Sequence, residues 1–249
     1  RRLATFPLVL LLTAIAGHRY GAVDTMPFFW VLTLVIGLAL MALLLAAVGF
    51  YRLWTNGDKG GRAATRATLT AILVLAPFGF ALFRAYVLPR MTDVSTDFVD
   101  PPAFVTAAAR RPADANPIQP FTADDAVMQL AAYPAVTGRR YQQPMDRLGE
   151  IIEYVTAGLG WQMVYRIDPQ WQSAENRVEA VAHSPIFGFV SDVVLRVVDE
   201  GESTYVDMRS NSRYGLHDLG DNAAKILRFF DALDAEVALR NMPVNVEEN

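Results

Sequence analysis

Two long stretches without a charged residue constrain this chain more than any other feature. The first, residues 26–51, holds 26 uncharged residues and the second, residues 67–83, holds 17. About 20 apolar residues cross the hydrocarbon core of a bilayer. Arg84 lies close enough to the end of the second stretch for its charge to reach the interface, which extends that stretch to about Leu88. The pattern predicts transmembrane helices at about 26–51 and 67–88.

A shorter apolar segment at the N-terminus allows two interpretations. Residues 3–17 follow Arg1 and Arg2 and end in Ala14-Ile15-Ala16-Gly17, which is typical of a signal peptide with a small-residue cleavage site. The alternative is a retained, slightly short or tilted helix over about 3–22. The sequence therefore predicts three transmembrane helices, or two, within residues 1–91.

Charge is divided unequally between the two parts of the chain, and this predicts an orientation. Residues 1–91 hold nine basic and two acidic residues, a formal charge of +7, whereas residues 92–249 hold 13 basic and 24 acidic residues, a formal charge of −11. The loop between the two long stretches carries Arg52, Lys59, Arg62 and Arg66, and positive loops stay in the cytoplasm. The C-terminal part is expected in the periplasm of a bacterial inner membrane. Its acidity disfavours nucleic acid as a partner.

The chain has no cysteine, so thiol catalysis, iron–sulfur clusters and thiolate zinc sites are excluded. His183 and His217 have no metal-ligand spacing between them, and no phosphate-binding, dinucleotide-binding or nucleophile-elbow motif occurs. We therefore expect no cofactor, no metal and no catalytic residue.

The C-terminal part divides into an arm, a domain and a tail. Residues 92–135 hold five prolines between positions 101 and 120 and lack periodicity, which is typical of an extended arm that drapes over the domain or spaces it from the membrane. Residues 136–241 predict an α+β domain in the order strand, helix, four strands, helix. The expected strands are 138–143, 161–167, 177–183, 192–198 and 203–209, and the expected helices begin near Met145 and Leu219, with Asp218 as the cap of the second. Residues 242–249 are left as a tail.

Alternation along these strands predicts an antiparallel sheet with both helices on one face and a polar, open face opposite. The polar face would carry Glu179, His183, Asp192, Arg196, Tyr205, Asp207 and Arg209. A tight turn after Asp199 would place Asp192 across from Arg209 and Arg196 across from Tyr205.

The segment 183–196, HSPIFGFVSDVVLR, and the segment 207–222, DMRSNSRYGLHDLGDN, resemble the domain-of-unknown-function 1499 family (DUF1499). The resemblance covers about the final 110 residues, and the N-terminal helices with the proline-rich arm resemble the membrane-attached members found in alphaproteobacteria. Ser191 stands where many members have a second acidic residue beside Asp192, which weakens any metal proposal. The family implies no activity.

Two hypotheses concern the binding surface, which comprises His183, Asp192, Arg196, Asp207, Arg209, Ser210, Ser212, Arg213, Asp218 and Asn222. In one, residues 209–213 present guanidinium and hydroxyl groups to an anion near the start of the last helix. In the other, Ser210 and Ser212 organise a turn, Arg209 pairs with Asp192, and Asp218 and Asn222 fasten the helix start.

Two classes of function follow. The chain is either a binding or scaffolding module, an accessory subunit or assembly factor whose partners are membrane lipid and other integral membrane subunits, or an envelope enzyme or lipid- or anion-binding protein that uses the surface from Arg209 to Asp218. The sequence shows no set of catalytic residues at a recognisable spacing, which favours the binding or scaffolding module.

Overall fold

The computed structural model describes residues 2–57 and 59–241, with side chains from Thr5 onward. The predicted tail, residues 242–249, lies outside the described residues. The chain divides into two compact units: one comprises the N-terminal helices up to Val87 together with the loop Pro185–Phe189, and the other comprises Leu88–Ser184 and the chain from Val190.

The helical unit contains α1 (Arg2–Arg19), α2 (Thr25–Asn56) and α3 (Gly61–Val87). α2 and α3 are long and apolar enough to cross a membrane, whereas the apolar stretch of α1, Thr5–Arg19, is shorter. Asp24 precedes α2 in an extended conformation, and Gly57 ends α2 with a positive φ of 69°, a left-handed conformation that glycine adopts without steric cost. The two predicted long apolar helices are therefore confirmed.

Small and branched residues form the core of this unit. Val35 and Ala39 of α2 pack with Val74 of α3 and with Leu11 of α1. At one end, the ring of His18 stacks on Phe28 with centroids 4.3 Å apart, and its Nδ1 lies 2.7 Å from the carbonyl oxygen of Phe187 in the loop. The loop residues are thus part of the packing of the helices.

The second unit is an α+β structure. Its elements are β1 (Asp93–Ser95), α4 (Ala107–Arg110), α5 (Ala123–Ala132), β2 (Arg139–Tyr141), α6 (Met145–Gly158), β3 (Gln162–Arg166), β4 (Glu175–His183), β5 (Val190–Asp199), β6 (Thr204–Ser212) and α7 (Asp221–Arg240). The predicted strands and helices are all present. Three elements, β1, α4 and α5, lie within the segment that was predicted to be an arm.

The sheet is antiparallel with the strand order β1-β6-β5-β4-β3. β2 also pairs with β6, so two short strands share one edge of β6: β2 lies opposite residues 204–206 and β1 opposite residues 209–211. Thr96 bridges the gap, because its N–H donates to the Met208 carbonyl and its hydroxyl accepts from the Met208 N–H. Gly138 is required beside this gap, since a Cβ there would lie 2.3 Å from the Tyr205 hydroxyl.

The apolar face of the sheet carries α6 and α7, as predicted. Leu148 and Ile152 of α6 and Ile226 and Phe230 of α7 are buried against the strands in one core. The strand residues that complete this core alternate along the strands: Val178, Ala180, Ala182, Val193, Leu195, Val197, Val206 and Met208. This period of two leaves every intervening side chain on the other face.

The expected register of the β5–β6 hairpin is wrong by two residues. Asp199 pairs with Thr204, so Asp192 lies opposite Asn211 and Arg196 lies opposite Asp207. The turn occupies residues 200–203 and not 199–202, so β5 extends to Asp199 and β6 begins at Thr204, and the Glu200 N–H closes this turn on the Ser203 carbonyl. A shift of two keeps each side chain on its face but changes its partner across the strands.

Candidate functional site

The polar face of the sheet is covered, not open. The segment 97–119, here called the strap, lies over it and supplies charged and backbone groups to the side chains of β4, β5 and β6. Glu179, Asp192, Asp207 and Arg209 are all buried. The expectation of a solvated, open face is therefore wrong, because residues of the predicted arm lie over it.

Arg196 is at the centre of the first cluster on this face. Its Nε and Nη2 donate to Asp207 Oδ2 at 3.1 and 2.7 Å, which is a pairing across the strands. From the strap, Asp97 accepts from Nη2 at 2.9 Å and Asp100 accepts from Nη1 at 2.6 Å. Three carboxylates therefore surround one guanidinium, and two of them, Asp97 and Asp100, belong to the segment predicted to be an extended arm.

Asp192 is at the centre of the second cluster. It accepts from Arg213, with Nη2 2.7 Å from Oδ1, and from Arg111 of the strap, with Nε 2.7 Å from Oδ2. Arg111 also donates to Asn211 Oδ1. The expected pairing of Asp192 with Arg209 is wrong, because the two-residue register difference places Asn211 opposite Asp192.

Arg209 instead pairs with Asp93 of β1, where Nη2 and Oδ2 are 2.7 Å apart. Nη2 also donates to the Gln119 carbonyl at the end of the strap, and the guanidinium lies over the Phe104 ring at 5.4 Å from its centroid. Because β1 is only three residues long, this ion pair is one of its main connections to the sheet.

Glu179 fastens the middle of the strap. Its buried carboxylate accepts from the backbone N–H groups of Val105, Thr106 and Ala107 and from the Thr106 hydroxyl. These N–H groups begin the short helix α4 and have no carbonyl partner in it. A buried carboxylate is thereby satisfied without a basic residue.

The remaining candidate residues lie on the apolar side and join β6 to α7. Ser210 Oγ donates to Asn222 Oδ1 at 2.7 Å, and Asn222 Nδ2 donates to Ser212 Oγ at 2.9 Å. Both serines lie within β6, so they connect a strand to a helix and do not organise a turn. Asp218 accepts from the N–H groups of Gly220 and Asn222. Asp218 and Asn222 thus fasten the helix start as predicted, although Gly220 occupies the cap position.

Lys225 is a buried charge that sequence reasoning missed. Its Nζ donates to Ser191 Oγ at 3.2 Å and to the Asp221 carboxylate one turn earlier in α7. The i,i+4 spacing of Asp221 and Lys225 was the available signal. Ser191 of β5 is therefore a partner of a cation.

The surroundings shift several pKa values. Burial acts to raise the pKa of the Asp97 carboxyl, but the N–H groups of Asp100 and Val99 and the Arg196 guanidinium outweigh it, so that pKa is lowered. Burial, opposed by the two N–H donors, raises the pKa of Asp218. Burial together with the charge of Asp207 raises the pKa of Tyr205 to about 12. Burial lowers the pKa of Arg111, against the raising effect of Asp192.

This unit contains two histidines, His183 and His217. His183 is exposed at the last position of β4, opposite Val190. His217 accepts from the Leu219 N–H at Nδ1 and donates from Nε2 to the Leu88 carbonyl at 3.2 Å, which fixes its tautomer. Among the described residues, no group of three or more His, Asp or Glu side chains could hold a metal ion.

The candidate residues thus have two structural roles. Those on the apolar side join β6 to α7. Those on the polar face form ion pairs that hold the strap, β1 and the turn after β6; they are Asp192, Arg196, Asp207, Arg209 and Arg213. Their partners Asp93, Asp97, Asp100 and Arg111 were not among the sequence candidates. Those partners lie in a proline-rich segment without periodicity, where single charged residues carry no pattern.

One protein-family model matches the chain: its description is protein of unknown function (DUF1499), and the match covers residues 93–233. A comparison with curated proteins gives no match. Two solved structures are similar in part. The vertebrate conserved region of human METTL16 is 16% identical, with 45% of this chain and 87% of that chain covered and a TM-score of 0.31. The protein TTHA0849 from Thermus thermophilus is 13% identical, with 43% and 97% covered and a TM-score of 0.23. Both scores are below 0.5, so neither similarity bears on function.

Proposed function

Because the chain belongs to the DUF1499 family, whose description states no activity, we propose a function from its own architecture. It is a membrane-anchored binding or scaffolding module, an accessory subunit or assembly factor of a protein complex in a bacterial inner membrane. The α+β unit lies on the periplasmic side, and the partners are membrane lipid and other integral membrane subunits.

The observation that carries this proposal is the apolar outer surface of α2 and α3. Leu40, Leu44 and Leu45 of α2 and Leu73 and Phe83 of α3 are each more than half exposed. Soluble proteins rarely expose contiguous apolar patches of this extent. Lipid or partner helices supply the environment that such a surface needs.

The orientation is supported by the basic loop between α2 and α3. Arg62 and Arg66 lie in the first turns of α3, and Arg52 lies in the last turns of α2. Positive charge near the ends of membrane spans is retained in the cytoplasm. The opposite end of α3, which leads into the α+β unit, then faces the periplasm.

A scaffolding role is favoured over the enzyme or anion-binding alternative by the pairing of the candidate residues. Both cations of the alternative hypothesis donate to aspartates: Arg209 to the partly buried Asp93 and Arg213 to the buried Asp192. An external anion would have to displace those carboxylates and the strap. The charged residues of the sheet therefore act within the fold.

Gentle solubilisation of native membranes tests this function. We expect the full chain to migrate with a larger complex on a native gel, and to migrate alone when residues 1–87 are replaced by unrelated helices of the same number and orientation. Arg213→Ala serves as a comparison. If it abolishes a phenotype while abundance, thermal midpoint and complex size stay unchanged, the alternative function is correct.

A further inference from the structure

Helix α5 is oriented opposite to the usual pattern of a surface helix. Its fully buried residue is Gln129, whereas Val127 is 69% exposed and Leu130 is 56% exposed. Together with the exposed Ala123 and Ala131, these residues recur at i, i+4, i+7 and i+8, the spacing of one apolar helix face. In a globular protein that face normally packs inward.

Specific bonds hold α5 in this orientation. Gln129 Nε2 donates to the Ser95 carbonyl at 2.6 Å, and the Ser95 N–H donates to Gln129 Oε1 at 2.9 Å. The side-chain amide thus pairs with β1 as a neighbouring strand would. A capping box formed by Thr122 and Asp125 fixes the first turn. Rotating the helix to bury its apolar face would break the two hydrogen bonds between Gln129 and Ser95. These bonds therefore keep the apolar stripe exposed.

We infer that the stripe Ala123, Val127, Leu130 and Ala131 is a docking surface for a helix of a partner subunit. Apolar anchors at this spacing are the means by which amphipathic helices bind one another. The inference rests on the proposed function and names the surface that a partner would use outside the membrane.

Charge identifies a protein partner and not the lipid surface. Helices that lie in a bilayer interface carry Lys and Arg beside their apolar face. α5 has Asp124 and Asp125 in its first turn and contains no basic residue. Anionic headgroups would repel these carboxylates, whereas a partner helix with basic residues beside its apolar stripe would complement them.

A photocrosslinking amino acid at position 127 of the full chain, in native membranes, tests the inference. We expect an adduct with one integral membrane protein, at a peptide that mass spectrometry shows to hold apolar residues flanked by Lys or Arg. The matched control places the same amino acid at Tyr154, an exposed aromatic position on α6, and should give no such adduct. A second probe at Leu73 in α3 reports on the proposed function alone.

Substitutions then test the surface itself. Val127→Asp with Leu130→Asp should reduce the yield of the same complex about tenfold, as expected for apolar anchors, and leave the thermal midpoint unchanged because both side chains are exposed. Tyr154→Asp on α6, where the side chain is also more than half exposed, is the matched surface control and should leave the yield unchanged.

Each other result overturns the inference. These results are an adduct at position 127 with phospholipid, an adduct with a second copy of this chain, the absence of an adduct, or an unchanged yield in the double variant. If position 73 still forms an adduct with a subunit in any of these cases, the proposed function stands and the α5 surface fails. If position 73 also gives none, both fail.

Discussion

Two aspartates bind the same Arg196 guanidinium, and a comparison of them shows how much burial changes the contribution of an ion pair to stability. Asp207 is fully buried and bonds Arg196 across the strands, whereas the Asp100 side chain is 81% exposed. We predict that Asp207→Asn lowers the free energy of unfolding by about 2–3 kcal/mol, because hydrogen bonds to a buried charge are lost. Asp100→Asn should cost less than about 1 kcal/mol. Chemical denaturation of the two variants checks this difference, and equal losses would contradict it.

Tyr205 provides a pH-dependent test at the same cluster. Its pKa is raised to about 12 by burial and by Asp207, from an ordinary value of about 10. The folded state therefore holds the phenol proton of Tyr205 more tightly than the unfolded state does. The resulting contribution to the free energy of unfolding is complete below about pH 10 and is lost as the pH rises through about 12. In an ultraviolet titration of tyrosinate, Tyr205→Phe should remove one transition near pH 12. Asp207→Asn should move that transition toward pH 10, and an unmoved transition would argue against the assigned cause.

At the scale of elements, the long periodic segments and the short strand β2 could be predicted, whereas β1, α4 and α5 could not. α6 and α7 have apolar stripes over several turns, and β4 to β6 alternate over nine or ten residues. β1 has three residues and α4 has four, too few for any period to emerge. α5 has the length to show one, but it buries a glutamine. The contacts that attach the strap were missed for a related reason, because they are made by isolated charged residues and backbone N–H groups.

The attachment of the strap by Glu179 can be measured directly. Glu179→Gln replaces the acceptor of three consecutive N–H groups by an amide with a single acceptor oxygen. We predict faster amide hydrogen exchange at residues 105–107 in this variant, with little change in α6 and α7. Glu175→Gln on the same strand, where the carboxylate is half-exposed and bonds Arg177, is the control. Unchanged exchange in Glu179→Gln would mean that other contacts hold the strap.

The packing of α6 depends on a glycine. A Cβ at Gly149 would lie 2.1–2.4 Å from atoms of the Trp171 indole, which is buried and donates from Nε1 to Glu153. We predict that Gly149→Ala destabilises the unit by about 1–3 kcal/mol through overpacking, despite the better helix propensity of alanine. Gly158→Ala near the end of α6, where no atom lies within 4 Å of the added Cβ, should be neutral in the same thermal or denaturant measurement.

At the scale of the whole molecule, charge and hydrophobicity divide the chain in the same place. The apolar helices lie in the part with formal charge +7, and the α+β unit contains most of the part with formal charge −11. This division was visible in the sequence because it depends on composition alone. The pairing of the charges inside the α+β unit was not visible, because it depends on which strand positions become neighbours.

Labelling of single cysteines in intact cells tests the central claim of a membrane anchor with a periplasmic domain most directly. The chain has no cysteine, so Gly60→Cys, between α2 and α3, and Glu202→Cys, in the exposed β5–β6 turn, each give one reactive site. A maleimide that does not cross the inner membrane should label position 202 in intact cells and position 60 only after the inner membrane is permeabilised. Labelling of position 60 but not position 202 in intact cells, or recovery of the full chain in the soluble fraction, would contradict the account.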